Sequence, residues 1–230
     1  MKSSIALLKV RDRLNKRSSQ ANKNIRNEAI QESINKVVLE LTRRFIKGKS
    51  LGNESAEETK SRVSDLQVLL KTQDISGRNK SDHFESLKIP SDFFEQVRIE
   101  VYAQKNGCEA NVSSDFREEA NARDLLSDAM ASPSFDLDQC FHTLFNNKIK
   151  VYHNNDFKVN KITLTYYKEP KYIRFPNTYQ PDGQPSSDDT WEFKNDFCEL
   201  IIDNAVKILA GDIESINVYE MTDRRIKENE

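Results

Sequence analysis

Apolar residues recur along the first fifth of the chain at helical spacing. Ile30, Ile34, Val37, Leu41 and Phe45 follow one another at steps of four, three, four and four, so they share one helical face, and Gly48 supplies a C-terminal stop. The pattern predicts a helix over residues 25–47. After the loop GKSLGNES, Ser55 with Glu58 three residues on has the form of a capping box, and Val63, Leu66 and Leu70 form the stripe of a second helix that would pack on the first. Before residue 24 the periodicity is weak, although Leu7, Val10 and Leu14 suit one short amphipathic helix.

In the middle of the chain the period changes to two. FEQVRIEVYA alternates through Val97, Ile99 and Val101 after Pro90-Ser91, which predicts a strand over residues 95–104. SDFREEANARDLLSDAMASP reads as a short helix ended by Pro133. Short apolar runs through Phe141, Ile149, Val151, Phe157, Val159, Ile162, Leu164 and Tyr166 are then separated by NNK and HNND, both turn-forming, so an antiparallel meander is expected. Phe157 and Val159 occupy odd positions but Ile162, Leu164 and Tyr166 even ones. The inward face must therefore switch near Asn160-Lys161 through a bulge or bend.

Helical spacing returns at the end. Asp189 with Glu192 resembles a capping box, followed by Phe193, Phe197, Leu200, Ile201, Ala205 and Ile208 and stopped by Gly211, and Asp212 can cap one more helix through Ile213, Ile216 and Glu220. The fold class expected is α+β: a helical bundle from the N- and C-terminal helices with an antiparallel β-rich middle segment. The divisions are a basic extended arm at 1–23, the bundle at 24–72 and 189–227, the β-rich insertion at 84–175 and a loop at 176–188.

Composition sharpens this picture in three ways. The 230 residues are 37% hydrophobic and 31% charged, enough for a core but lean in apolar material, so surface is expected to be buried against partners. No run has the length needed to cross a bilayer, and the first residues are too charged for a signal peptide; no membrane partner is expected. The net charge of −2 hides an asymmetry: residues 1–50 carry thirteen Lys and Arg against four Asp and Glu, whereas the remaining 180 carry 22 against 33. A basic end of this kind docks on an acidic protein surface or lies near nucleic-acid phosphates.

Catalytic signatures are lacking. Gly48-Lys49-Ser50 has the end of a phosphate loop, but Arg43 stands where its first glycine belongs and a helix precedes it. Cys140 and His142 share a strand face, yet two ligands alone do not define a metal site, and Cys108, Cys140 and Cys198 form no C-x-x-C pair. With no nucleophile or dinucleotide motif, the sequence predicts no enzyme, no cofactor and no metal.

The succession FESLKIPSDFFEQVRIEVYA (84–103), SPSFDLDQCFHTLFNNKIKVYHNNDFKVNKITLTYYKEPKYI (132–173) and FCELIIDNAVKILAGDIES (197–215), preceded by EAIQESINKVVLELTRRFIKG and SDLQVLLK, resembles the head-to-tail connector, adaptor or ring proteins of short-tailed phages, especially the crAss-like group. The resemblance spans residues 28–215 and lies in order and texture, not in a catalytic signature. It implies a structural subunit of the virion, assembled in the host cytoplasm, of which many copies, typically a dodecamer, form a ring beneath the portal. Such a ring extends the DNA channel and receives the tail; its partners would be the portal, other tail or ring proteins and copies of itself, with non-specific contact to channel DNA. In that setting Pro170 ends the strand LTYYKEPKYI, and Tyr166 and Tyr167 face opposite sides of it. One tyrosine would fill the core and the other a subunit boundary, or both would anchor the sheet internally. Arg43 and Arg44 set against the acidic 186–192 segment of a neighbour, with Asp188 and Asp189, would fix the register. The alternatives are a nucleic-acid-binding protein using the basic first 50 residues, or another tail or capsid-packaged virion protein.

Overall fold

The structure, a computed structural model, describes residues 1–15, 25–47, 64–180, 183–212, 224 and 226. It is α+β, with N- and C-terminal helices flanking a central β-sheet region. Two compact units divide the chain: a helical one from Met1–Val68 and Pro170–Glu230, and a sheet unit over Leu69–Glu169.

In the helical unit, α1 (Ser3–Asn15) and α2 (Asn27–Ile46) occupy the N-terminal part. The expected stripe of α2 is buried in full, and Glu28 in its first turn with Arg43 and Arg44 in its last complement the helix dipole. The extended arm expected at 1–23 is corrected over its described part. Residues 3–15 are helical because Ala6, Val10 and Leu14 give α1 a narrow stripe to bury, while Ile5 and Leu8 stay exposed. Among the described residues α3 is a short helix in the sheet unit (Ala122–Ser127), and α4 (Asn195–Asp212) belongs to the helical unit. Phe197, Cys198, Ile201, Ile202, Ala205, Val206, Leu209 and Ala210 of α4 are buried against α1 and α2, with Phe197 and Phe45 ring centroids 5.7 Å apart. Ser55, Glu58, Val63 and Gly48, and the helix expected through Ile213, Ile216 and Glu220, fall outside the described residues, while Gly211 and Asp212, expected to stop one helix and cap the next, lie within the last turn of α4. Leu66 is buried at the end of a helical turn, but Leu70 is not part of that stripe: it opens a strand.

That strand starts the sheet unit earlier than the sequence suggested. The strands are β1 (Leu70–Ile75), β2 (Gly77–Asn79), β3 (His83–Ser86), β4 (Phe93–Lys105), β5 (Cys108–Phe116), β6 (Gln139–Phe145), β7 (Lys148–Tyr152) and β8 (Lys158–Lys168). Their order is β1-β8-β4-β5-β6-β7-β3-β2, antiparallel except for the parallel pair β5–β6. Only Ser76 separates β1 from β2, so the two ends of the sheet are one bent strand and the sheet closes into a small barrel. Asn79 completes the seam from its side chain, accepting from Val159 N at 3.0 Å and donating to Val159 O at 2.7 Å. Closure explains Gly77 at the corner. A Cβ there would lie 2.3 Å from Glu85 O and 2.5 Å from the Phe84 ring.

Every barrel strand but the three-residue β2 contributes to one interior cluster. It comprises Ile75, Phe84, Ile99, Val101, Ala103, Val112, Cys140, Ile149, Val151, Val159, Ile162, Leu164 and Tyr166, with Phe157 and Ile89. The face switch falls where predicted: Tyr102 pairs with Lys161 but Ala103 with Val159, leaving Asn160 as the extra residue. The hairpin turns Asn106-Gly107 (β4–β5) and Asn146-Asn147 (β6–β7) have positive φ, the left-handed geometry that suits hairpin twist and that asparagine and glycine tolerate; Asn154-Asn155 also has positive φ but leads from β7 to β8, which do not pair. Outside the barrel, α3 covers Phe141 and Tyr152 with Ala122, Leu125 and Leu126.

Candidate functional site

The segment after β8 is long and polar, and in the helical unit it is built in as a strap. Pro170 is buried and β8 ends at Lys168, as a residue without a backbone N–H requires. The chain then lies along α2, where two side-chain amides act in place of a neighbouring strand. Asn35 donates to Ile173 O at 2.9 Å and accepts from Ile173 N at 2.7 Å; Gln31 accepts from Phe175 N at 2.8 Å. Gln31 and Gln180 exchange a further amide pair at 3.0 and 3.2 Å. Spaced four apart, Gln31 and Asn35 stand on one face of α2, and the buried side chains of Ile173 and Phe175 anchor the strap between them. Buried backbone groups must find partners, and this is how an irregular segment is held inside a helical unit.

Farther on, the strap serves α1. Ser3 N donates to Asp189 O at 2.9 Å, and Ser4 N and Ser4 Oγ donate to the Asp188 carboxylate at 2.8 and 3.0 Å. The first-turn N–H groups of α1 are thus capped from 184 and 186 residues away in sequence, and the Ser4 N–H holds the Asp188 carboxyl below its ordinary value. Trp191 Nε1 donates to Ser3 Oγ at 3.2 Å. The capping box expected at Asp189 and Glu192 is corrected here. Their carboxylates accept from Arg174 N and Lys171 N in the strap, and α4 begins later, at Asn195.

On the other flank α1 is held by charge. Lys9 and Arg13 both bind Glu199, and Arg13 Nη1 meets Asp203 Oδ1 at 2.8 Å with Asp203 almost wholly buried. Burial pushes the Glu199 carboxyl up, but Lys9 and Arg13 together outweigh it and hold it below its usual value.

The residues expected at a subunit boundary are therefore distributed. Asp188 and Asp189 are engaged within the chain, Arg44 pairs with Glu40 at 3.2 Å, and Arg43 is exposed near the end of α2. Tyr166 is in the barrel core, its hydroxyl donating to Asp92 at 2.9 Å, and burial with that carboxylate raises it to about 12. Tyr167 is half-buried on the opposite face, across from Leu70 and Glu95.

Cys140 and His142 share the inward face as expected. Among the described residues, however, no group of three or more His, Cys, Asp or Glu is placed to hold a metal ion. His142 is instead wedged between Ser114 Oγ, 2.7 Å from Nδ1, and Gln96 Nε2, 2.6 Å from Nε2. Burial pushes its imidazole down to about 4, so the ring is neutral at ordinary pH, and burial pushes the Cys140 thiol up to about 12. The other two histidines lie at the ends of β3 and β7. His83 Nδ1 is 2.6 Å from Asp82 Oδ1, and His153 Nδ1 accepts from Asn155 N at 3.1 Å. Gly48-Lys49-Ser50 lies outside the described residues.

What sequence reasoning missed is the loop between α3 and β6. Asp128 accepts from Met130 N, Gln139 Nε2 donates to Met130 O and Ser132 O, Asp156 accepts from Phe135 N, and Lys105 bridges Asp136 and Asp156. So tied, the loop leaves Met130 86% and Leu137 70% exposed.

No protein-family model and no curated protein matches the sequence.

Proposed function

We propose that the protein is a non-enzymatic structural subunit of a phage portal vertex, one of a ring of copies joining portal to tail in the virion. The observation that carries this reading is the pairing of a barrel whose interior is filled by its own side chains with a stiff loop that holds two large apolar side chains in water. A filled barrel offers its surface, not a cavity, and exposed apolar tips on an ordered loop favour docking on protein. The resemblance to connector and ring proteins supplies the kind of assembly, and no cofactor enters the reading.

Nucleic-acid binding through the first 50 residues is the second reading. It is weakened by Lys9, Arg13 and Arg44, whose charges are engaged by Glu199, Asp203 and Glu40. Titration of the full chain with duplex DNA across a salt series separates the two. Structural docking predicts binding no tighter than general charge attraction, whereas a nucleic-acid role predicts tight binding with a steep salt slope.

A further inference from the structure

Three features of the molecule bear on how copies would meet. The first is charge: the loop itself, residues 128–138, carries Asp128, Asp136 and Asp138 and no Lys or Arg, while Lys2 and Arg11 are exposed on either side of Ile5 and Leu8, outside the pairs that Lys9 and Arg13 make with Glu199 and Asp203. The second is exposure. Met130 and Leu137 project from the acidic segment, and Ile5 and Leu8, three apart on α1 and so on one face, project from the basic one. The third is stiffness. The loop is held by Asp128, Gln139, Asp156 and Lys105, and α1 by Asp188, Asp189, Glu199 and Asp203, so neither surface must be ordered when it binds.

We propose that the acidic loop between α3 and β6 docks, through Met130 and Leu137, on the basic amino-terminal segment of a second copy beside Ile5 and Leu8. This deepens the ring reading and rests on it. Loop and helix are different surfaces of the same chain, so the contact is heterologous, and repeated from copy to copy it generates a ring or a filament, not a closed two-fold dimer. The apolar tips supply the buried centre and the opposite charges the rim, where they set register and encounter rate. A lipid surface or a nucleic acid does not fit the loop, since both would meet its acidic residues with like charge.

The test uses two preparations of the full chain, each with the exposed Cys108 changed to Ser, one carrying Leu8→Cys and the other Leu137→Cys. They are concentrated together and treated with a short bismaleimide, and the assembly state of the unmodified chain is measured in parallel by native mass spectrometry. The expected result is a cross-linked heterodimer from the mixture that neither preparation gives alone, reduced about tenfold by Met130→Ser on the Leu137→Cys chain. Rings or oligomers without this cross-link overturn the proposed contact and leave the ring reading standing. The cross-link in particles that never exceed two copies keeps the contact and removes the ring. Monomers without the cross-link, at all concentrations and with a portal added, overturn both.

Discussion

Lowering the pH from 7.5 to 5 should loosen the barrel through one residue, His142. Its ring is buried between Gln96 and Ser114, and its folded-state value is near 4 against 6.5 in the unfolded chain. A histidine depressed in this way binds fewer protons folded than unfolded, so stability is fully present above 6.5 and is lost as the pH falls from 6.5 toward 4. With about 1.4 kcal/mol per unit of separation, the loss by pH 5 is about 2 kcal/mol, roughly a thirtyfold fall in protection against opening. His153, also depressed by burial and then by neighbouring His83, adds in the same direction. Asp74, held low by the Thr163 hydroxyl and then Lys161, and Glu119, where burial is outweighed by Lys150 and Thr143, lose their contribution only at lower pH, as it falls below the unfolded carboxylate range. Hydrogen exchange on peptides from β5 and β6 is the suitable assay, because the single tryptophan, Trp191, belongs to the helical unit. His142→Gln keeps a hydrogen-bonding side chain without a titrating one, so between pH 7.5 and 5 its protection should fall only by the smaller part that His153 contributes. If wild type and variant lose protection in parallel over that range, His142 is not the acid-sensitive element and the reasoning fails.

Three substitutions examine the rest of the architecture. Gly77→Ala puts a methyl group against a backbone oxygen at the barrel corner and should cost about 2–3 kcal/mol, read as a lower urea midpoint of the sheet unit; an unchanged midpoint would mean that the corner is not closed. Asn35→Ala removes both partners of Ile173 and should destabilise the helical unit by about 2–4 kcal/mol, with Trp191 fluorescence reporting a shifted unfolding midpoint; a shift below measurement error would contradict the strap. Arg13→Ala leaves Asp203 buried without its guanidinium and should cost about 3 kcal/mol, with faster exchange in α1, and unaltered exchange there would show that α1 is held by other means.

Much of this fold is legible in the sequence where burial follows a simple period. The stripe of α2 and the separate strands β6, β7 and β8 obey helical and strand spacing closely, and the parity change at Asn160 marks its bulge, but the meander expected there is corrected: β6 pairs with β7, whereas β8 lies between β1 and β4. β1 was hidden because LKTQDI is exposed at five of its six positions, so no alternation survives, and Leu70 continues the spacing of a preceding helical turn. β5 was hidden likewise, its one fully buried residue being Val112, although Asn106-Gly107 is a strong hairpin signal between it and β4. Closure of the sheet depends on Asn79 and Gly77, whose roles exist only once β2 meets β3 and β8. The strap is similar. Gln31 and Asn35 look like solvent-facing polar residues of an amphipathic helix until residues 173–180 arrive, and Asp189 and Glu192 have the spacing of a cap while serving another segment. Of the expected boundary residues, Arg43, Arg44, Asp188 and Asp189 rest on charge alone, and charge at Asp188 is spent on α1.

The central claim is that this chain is a ring-forming structural subunit. Native mass spectrometry of the full chain, alone and mixed with a portal protein of a short-tailed phage, tests that most directly. The account predicts a single closed oligomer of many copies in the mixture, whether or not the free chain is monomeric. Particles containing the portal alone, with this chain remaining monomeric or as closed dimers at every ratio, would contradict it.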